Sequence, residues 1–218
     1  MGRVSTALVF AGGDPPATTA LRDLPEVDVV IAADSGLAHA RALGLAVDVV
    51  VGDLDSVTRE DLDAAVAAGA AVERHPTAKD ATDLELALLA ARDRGAREIV
   101  VIGGHGGRLD HFLANLLLLG APDLSGVHIS ARVGDSTVTV VREGAELAGV
   151  PGALCSLLPV GGPAEGVRTE RLRFPLDRET LFPGSTRGVS NEFLTTTATV
   201  TLERGVLLAV VPRSGKDT

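Results

Sequence analysis

Asp53 and Asp55, within the segment GDLDS, follow an apolar run at residues 47–51 and are separated by a single leucine. In an extended segment, side chains two residues apart point to the same side and lie roughly 6 to 7 Å apart. Two carboxylates at that separation can flank one metal ion or hold a pair of ions, and Mg²⁺ is commonly held by carboxylates together with substrate phosphates. The spacing therefore predicts a hard-metal site. Turn formation is the structural alternative, because aspartate also favours loops.

Four other segments that follow apolar runs also carry acids. These are Asp14, Asp34, Asp80 with Asp83, and Asp110. In an open parallel sheet, the segments after the strands share one edge, where ligands bind. Carboxylates crowded at that edge repel one another, and a bound cation is the simplest relief. Asp83 also has a structural explanation, since Thr82 and Glu85 fit a capping box and an acid in the first turn favours the helix dipole.

The elements that would position these acids are short strands alternating with helices. Helical stretches end at Gly44, Gly69 and Gly95, a residue type that suits a helix C-terminus. Continuous apolar runs, which indicate strands buried on both faces, lie at residues 4–10, 28–33, 47–51 and 98–102, with a weaker one at 71–75. We predict the run at residues 4–10 to be a strand and not a signal peptide, because it is short and no cleavage-like site follows it.

The sequence pattern changes near residue 121, where short β-rich segments broken by Gly and Pro replace the helical stretches. We therefore predict an α/β domain with a mainly parallel sheet at residues 1–122. An all-β sandwich domain is expected at residues 123–218.

Composition limits the partners and the compartment. A net charge of −9 over 218 residues argues against a nucleic acid or an anionic membrane as partner, since both need clustered basic residues. Cys155 is the only cysteine, so an intrachain disulfide and a thiolate zinc cluster are excluded. The cytoplasm is the expected compartment.

Glycine loops and a polar stripe are further candidates for ligand contacts. The loops AGGD, with Gly13, and GGHGG, with Gly104, could bring backbone N–H groups close to phosphate, although no P-loop or dinucleotide fingerprint is present. Arg108, His111 and Asn115 have helical spacing within an otherwise apolar stretch. We expect that helix to be buried with its polar stripe facing a polar group, and we prefer a core role for His111 over metal ligation.

Four motifs occur in this order along the chain: GDLDS, KDATDLE, GGHGGRLDH followed by Asn115, and PGSTRGVSNEF. Together with AADSG, they resemble the thiamine pyrophosphokinase family over nearly the whole chain. The resemblance implies an α/β domain joined to a β-sandwich, and a homodimer with active sites between the subunits. It also implies transfer of a pyrophosphoryl group from ATP, the co-substrate, to the hydroxyl of thiamine, with Mg²⁺ as cofactor and with thiamine diphosphate and AMP as products.

The resemblance assigns roles to individual residues. The metal and phosphate set is Asp53, Asp55 and Asp83. The expected ATP contacts are Asp34, Thr82, Arg108 and Asp110. Gly13 and Gly104 of the glycine loops are also expected to contact ATP. The expected thiamine contacts are Ser190 and Asn191. In catalysis, Arg108 would stabilise developing charge, and Asp83 or Asp80 would orient the thiamine hydroxyl.

The chain has no Trp and no Tyr, whereas members of the family commonly place an aromatic ring against the thiamine pyrimidine. Phe193, next to the SNE motif, is the candidate replacement. Three alternative functions remain open. DLDSVT fits the first motif of haloacid-dehalogenase-like phosphatases, a pterin alcohol could replace thiamine as acceptor, and the chain could be a non-catalytic thiamine or nucleotide sensor.

Overall fold

The computed structural model describes residues 5–213, which divide into two compact units. The first unit comprises residues up to 118 together with 126–134, and the second comprises 119–125 together with residues from 135 onward. Among the described residues, no helix is long and apolar enough to cross a membrane.

Six parallel strands form the sheet of the first unit. They are β1 (Thr6–Phe10), β2 (Val29–Ala33), β3 (Val49–Gly52), β4 (Ala71–Arg74), β5 (Glu98–Ile102) and β6 (His128–Val133). They lie side by side in the order β6-β5-β1-β2-β3-β4. Consecutive residues of β1, β3 and β5 are buried, as continuous apolar runs predict. The edge strand β4 is largely exposed, which accounts for its weak apolar signal.

The first unit also contains four helices. They are α1 (Gly36–Ala42), α2 (Arg59–Ala67), α3 (Asp83–Asp93) and α4 (Leu109–Leu118). Helix α1 contacts β1 and β2, and α3 contacts β1, β2 and β3. The glycines that follow α1, α2 and α3 have φ angles of 77°, 105° and 90°, so the predicted helix ends are confirmed. A short 3₁₀ segment lies at Thr18–Leu21 in this unit, and another lies at Pro122–Leu124 in the second unit.

The second unit consists mainly of antiparallel strands. They are β7 (Ser136–Val141), β8 (Gly144–Ala148), β9 (Leu154–Pro159), β10 (Ala164–Glu170), β11 (Glu179–Leu181), β12 (Asn191–Glu192), β13 (Thr197–Thr201) and β14 (Leu207–Pro212). Strands β12-β9-β14-β7 lie side by side, and so do β11-β10-β13-β8. Leu157 and Leu207 of the first group share one hydrophobic core with Val167 and Val200 of the second. This is the layered packing of a β-sandwich.

Strands β1 to β5 agree closely with the apolar runs in the sequence, although Val4 lies outside the described residues. The structure divides the chain differently from the expected position between residues 122 and 123. Strand β6 pairs in parallel with β5 and belongs to the first unit, whereas residues 119–125 cluster with the second. The connection between α4 and β6 therefore leaves the first unit and returns to it. The change of sequence pattern near residue 121 did not predict this return.

Candidate active site

Three carboxylates converge beyond the ends of β2 and β3. One oxygen each from Asp34, Asp53 and Asp55 lies within 4.8 Å of the other two. Asp34 directly follows β2, and the other two follow β3, its neighbour in the sheet. The carboxyl ends of adjacent parallel strands thus bring together acids that are about twenty residues apart in sequence.

The backbone at this edge adopts unusual conformations that aim the carboxylates. Asp34 has a φ of 46° and Leu54 a φ of 66°, which are left-handed conformations that non-glycine residues seldom adopt. The Asp55 N–H donates to Asp53 Oδ1 at 3.2 Å. The expectation that Asp53 and Asp55 lie on an extended segment is therefore wrong. A turn centred on the buried Leu54 brings their carboxylates together.

Gly52 forms part of the wall behind the carboxylates. Its φ is 147°, and a Cβ at this position would lie 2.9 Å from Asp83 Oδ1 and 3.3 Å from Asp34 Cβ. A side chain here would therefore push apart two of the acids. Gly52 begins the GDLDS motif, but the need for glycine at this position depends on contacts that the sequence does not reveal.

Asp83 joins the site through Lys79. The Lys79 ammonium donates to Asp83 Oδ1 at 2.7 Å and to Asp53 Oδ2 at 3.4 Å. Asp83 begins α3, and the Thr82 side chain caps this helix by accepting a hydrogen bond from the Glu85 N–H at 3.2 Å. Asp83 is thus both an acid in a helix first turn and a neighbour of the carboxylate cluster. Asp80 lies in the preceding loop and is exposed.

The charges at this edge act on one another. Burial raises the pKa of Asp34, the Ser35 N–H opposes this rise, and the carboxylates of Asp83 and Asp55 add to it. The pKa of Asp53 is lowered, first by the Asp55 N–H and then by the Lys79 ammonium, while burial acts in the opposite direction. The cluster therefore contains one carboxylate that is poorly compensated and one that is well compensated.

The donor set fits a hard divalent cation. Asp34 Oδ1 is buried and has no hydrogen-bond partner among the described residues. A buried carboxylate oxygen without a partner is costly unless a cation binds it. Three carboxylates with one such oxygen are the type of ligand set that Mg²⁺ takes.

Two glycine loops meet where the strand order reverses, between β1 and β5. The Asp14 N–H donates to His105 O at 2.8 Å, and the Gly104 N–H donates to Gly12 O at 2.9 Å. A Cβ at Gly13 would lie only 2.1 Å from His105 O, so this close approach requires glycine. This switch point is a usual ligand position in open α/β sheets. Because the Gly104 N–H is already used within the protein, a phosphate would have to displace the bond to Gly12 in order to accept from it.

Helix α4 differs from the sequence expectation. None of its residues is buried, so the expectation that this apolar helix lies in the core is wrong. His111 is exposed and is not a core histidine. Arg108 and Asp110 pair with each other at 2.6 Å, and both side chains are more than half exposed. Asn115, the third member of the predicted polar stripe, faces the glycine loop, because its Nδ2 donates to Gly104 O at 3.1 Å.

A pocket of about 460 Å³ lies in the second unit. Its volume is within the range of small-molecule sites. Two of its lining residues, Ser190 and Asn191, are the predicted thiamine contacts. The other lining residues are Phe174, Leu176, Ser185, Thr186, Arg187, Gly188 and Val189.

Asn191 organises one wall of this pocket. Its Nδ2 donates to Phe174 O at 2.7 Å, and its Oδ1 accepts from the Phe174 N–H at 2.9 Å. Asn191 is 3% exposed, and its side-chain amide thus pairs with both the N–H and the C=O of Phe174. Ser190 has a φ of 56°, and its N–H donates to Ser156 Oγ at 3.1 Å, so its own hydroxyl is not consumed by that bond.

The aromatic ring of the pocket is Phe174. Its side chain is half exposed, and the Arg173 guanidinium lies 5.6 Å from the ring centroid. The suggestion that Phe193 supplies the aromatic surface is wrong, because Phe193 is 1% exposed and packs in the core of the second unit. Sequence reasoning missed Phe174, since proximity to the SNE motif in sequence favoured Phe193.

A parallel sheet with carboxylates at its carboxyl edge, together with a β unit that carries a pocket, defines a two-unit α/β protein with a candidate ligand site in each unit. Two family models match the chain, the thiamin pyrophosphokinase catalytic domain over residues 22–130 and the thiamin pyrophosphokinase vitamin B1 binding domain over residues 137–207. The chain belongs to the thiamine pyrophosphokinase family.

Individual relatives agree with this assignment. Thiamine pyrophosphokinase of Bacillus subtilis is 26% identical, over 95% of this chain and 98% of its own length. A thiamin pyrophosphokinase family protein of Enterococcus faecalis has a crystal structure that superposes with a TM-score of 0.77 at 27% identity, covering 98% of this chain and 100% of its own. The crystal structure of the B. subtilis protein has a TM-score of 0.82 at 24% identity, with 95% and 99% coverage, and supports the fold.

Proposed function

We propose that this chain transfers the pyrophosphoryl group of ATP to the hydroxyl of thiamine and releases thiamine diphosphate and AMP. The observation that carries the proposal is the convergence of Asp34, Asp53 and Asp55 at one edge of the sheet, in a chain of the thiamine pyrophosphokinase family. Such a transfer needs in-line positioning and charge neutralisation more than covalent help from the protein.

Mg²⁺ is the proposed cofactor. Asp53, Asp55 and Asp83 would hold it, and the unpartnered oxygen of Asp34 makes that residue a fourth candidate ligand. The ion would supply neutralisation of the phosphate charge.

We assign ATP to the edge of the first unit. The close contact of the two glycine loops supports Gly13 and Gly104 as neighbours of the nucleotide. Asp34 belongs to the carboxylate cluster, and Thr82 caps the helix that begins at Asp83. Arg108 is exposed and would have to exchange its pair with Asp110 for a phosphate oxygen. A guanidinium suits that exchange because it binds phosphate in a bidentate manner. Asp83 or Asp80 would orient the hydroxyl that attacks the β-phosphorus.

We assign thiamine to the pocket of the second unit. The exposed ring of Phe174 offers a face for the pyrimidine, and the hydroxyl of Ser190 offers a polar contact. For Asn191 we propose a positioning role, because both ends of its amide are already bonded to Phe174.

A homodimer with active sites between the subunits is part of this proposal. Leu109, Leu113 and Leu117 are 68%, 51% and 59% exposed and follow one another at four-residue spacing on α4. A continuous apolar stripe of this kind is typical of a surface that another protein covers. The second copy is the proposed occupant. The cytoplasm remains the proposed compartment, on the basis of the single cysteine in the sequence.

Product analysis tests the reaction directly. The purified protein is supplied with thiamine, ATP and Mg²⁺, and the nucleotides and thiamine species are separated by chromatography. We expect thiamine diphosphate and AMP in equal amounts. Inorganic phosphate without thiamine diphosphate would favour a phosphatase, and ADP would contradict pyrophosphoryl transfer. Turnover with a pterin alcohol but not thiamine would reassign the acceptor, and tight binding without turnover would favour a sensor.

A further inference from the structure

Lys79 occupies the space between two of the proposed metal ligands. Its ammonium lies 2.7 Å from Asp83 Oδ1 and 3.4 Å from Asp53 Oδ2, and its side chain is only 14% exposed. It is one of two lysines in the sequence, the other being Lys216, and the rest of the 20 Lys and Arg residues are arginines. Lysine is therefore rare in this chain, and one of its two lysines lies between these carboxylates.

The ammonium and a divalent cation compete for the same carboxylates. Mg²⁺ binds carboxylate oxygens at 2.0–2.1 Å and tolerates little deviation from octahedral geometry. An ion that bound Asp53 and Asp83 would come within a few ångströms of an ammonium in its present position, where the two positive charges repel strongly. The carboxylates of Asp53 and Asp83 can therefore bind either Mg²⁺ or the Lys79 ammonium, but not both at once.

We propose that Lys79 is a positioning residue that exchanges with Mg²⁺. It holds Asp53 and Asp83 together in the metal-free protein, and its ammonium leaves these carboxylates when the ion binds. The inference rests on the proposed Mg²⁺ site.

Lysine is suited to this role for a physical reason. Its ammonium is a point charge on a flexible four-carbon stem, whereas arginine holds carboxylates with a rigid bidentate fork. A lysine is thus more easily displaced by an incoming ion, while it still compensates the acids beforehand.

Amine labelling of the unmodified protein tests the exchange. Lysines are modified with a limiting amount of an amine-reactive reagent near neutral pH, with and without Mg²⁺, and modification at each site is measured by mass spectrometry. We expect Mg²⁺ to raise the labelling of Lys79 severalfold, because the ion frees its ammonium. Lys216, which lies outside the described residues, is the internal reference and should not respond.

Calorimetry of Mg²⁺ binding under the same conditions separates two failures. If Mg²⁺ binds and the labelling of Lys79 stays constant or falls, the exchange is overturned and the metal site stands. If Mg²⁺ does not bind the wild-type protein, the proposed metal site and the exchange are both overturned.

Two variants give a second test. Lys79→Met removes the charge and keeps the length, so the melting temperature should fall in EDTA, and Mg²⁺ should raise it by more than it does in the wild type. Lys79→Arg keeps the charge, so we expect a near-normal melting temperature in EDTA and severalfold weaker Mg²⁺ binding. An equal loss of melting temperature with and without Mg²⁺ in Lys79→Met would identify a static salt bridge and overturn the exchange.

Discussion

Asp34 illustrates how individual residues of the site exchange stability for function. Its carboxylate is partly buried, one oxygen lacks a hydrogen-bond partner among the described residues, and Asp83 and Asp55 add negative charge nearby. Such a residue is unfavourable for folding but useful for holding a cation, a conflict that is common at functional sites.

We expect Asp34→Asn to raise the melting temperature by a few degrees in metal-free buffer and to lower turnover by at least about tenfold, because it removes both the repulsion and a ligand. Asparagine tolerates the left-handed backbone of this position, so the change should not add strain. Thermal unfolding and steady-state kinetics measure the two effects. A lower melting temperature would contradict the account of repulsion.

The pH dependence of stability provides a control for this prediction. Because the pKa of Asp34 is raised in the folded state, the folded protein binds this proton more readily than the unfolded chain does. The destabilising effect is therefore present above the folded pKa and is relieved as the pH falls through it towards the ordinary value of 3.8. We expect the advantage of Asp34→Asn in metal-free buffer to shrink over that window.

Asp53→Asn and Asp55→Asn should each abolish turnover and leave the fold intact. Both substitutions preserve the size of the side chain and remove a charge that the proposed metal site needs. Loss of turnover is measured by product formation, and the fold is checked by circular dichroism. Near-normal rates in either variant would show that these two carboxylates do not form a metal site.

The sequence predicted the acids of the site but missed residues whose contribution depends on tertiary contacts. Asp34, Asp53 and Asp55 were found because the carboxyl ends of parallel strands share an edge. Gly52 and Lys79 were not singled out, since the need for glycine arises from the approach of Asp83 and Asp34. The position of Lys79 likewise depends on Asp53, which lies 26 residues earlier in the chain.

At the scale of elements, the segment that carries Phe174 shows what a single buried amide can organise. Asn191 lies in the short strand β12, and its side chain holds the backbone of Phe174, 17 residues earlier, through two hydrogen bonds. Ser190 and Asn191, which the sequence predicts as thiamine contacts, both line the pocket of the second unit. Sequence reasoning chose the wrong phenylalanine because burial in a β-sandwich depends on which face of the sheet a residue occupies.

We expect Phe174→Ala to raise the KM for thiamine roughly threefold to tenfold with little effect on the KM for ATP, since aromatic pairs contribute about 0.5–1.5 kcal/mol beyond buried area. Phe174→Tyr should behave like the wild type because it keeps the ring. Phe182→Ala is the matched control, because Phe182 is exposed to a similar extent, 56% against 50% for Phe174, but does not line the pocket. Equal effects on both KM values would argue against the assignment of the pocket to thiamine.

At the scale of the whole molecule, the sequence predicted two domains but not the correct place of every element within them. The α/β pattern and the β-rich pattern correspond to two compact units. Strand β6 was assigned to the wrong side of the boundary because a parallel strand at residues 128–133 carries no local sign of its distant partner β5. The apolar character of α4 predicted burial within the chain. A single sequence does not distinguish an apolar helix of the core from one with an exposed apolar face.

The exposed stripe on α4 leads to the last prediction, which concerns the oligomer. Leu113→Glu places a charge in the middle of the stripe, and it should dissociate a dimer that buries this surface, because burying an unpaired carboxylate is costly. The folded chain should tolerate the change, since Leu113 is 51% exposed.

Light scattering coupled to size exclusion measures the mass, and product formation measures activity across a dilution series. We expect the wild type to elute as a dimer and Leu113→Glu as a monomer with greatly reduced turnover, because each active site is proposed to need both subunits. Val66→Glu is the matched control, since Val66 is 50% exposed on α2, another helix of the same unit. A fully active monomeric Leu113→Glu variant would show that a single chain completes its own active site. A dimeric variant would show that the second copy binds elsewhere.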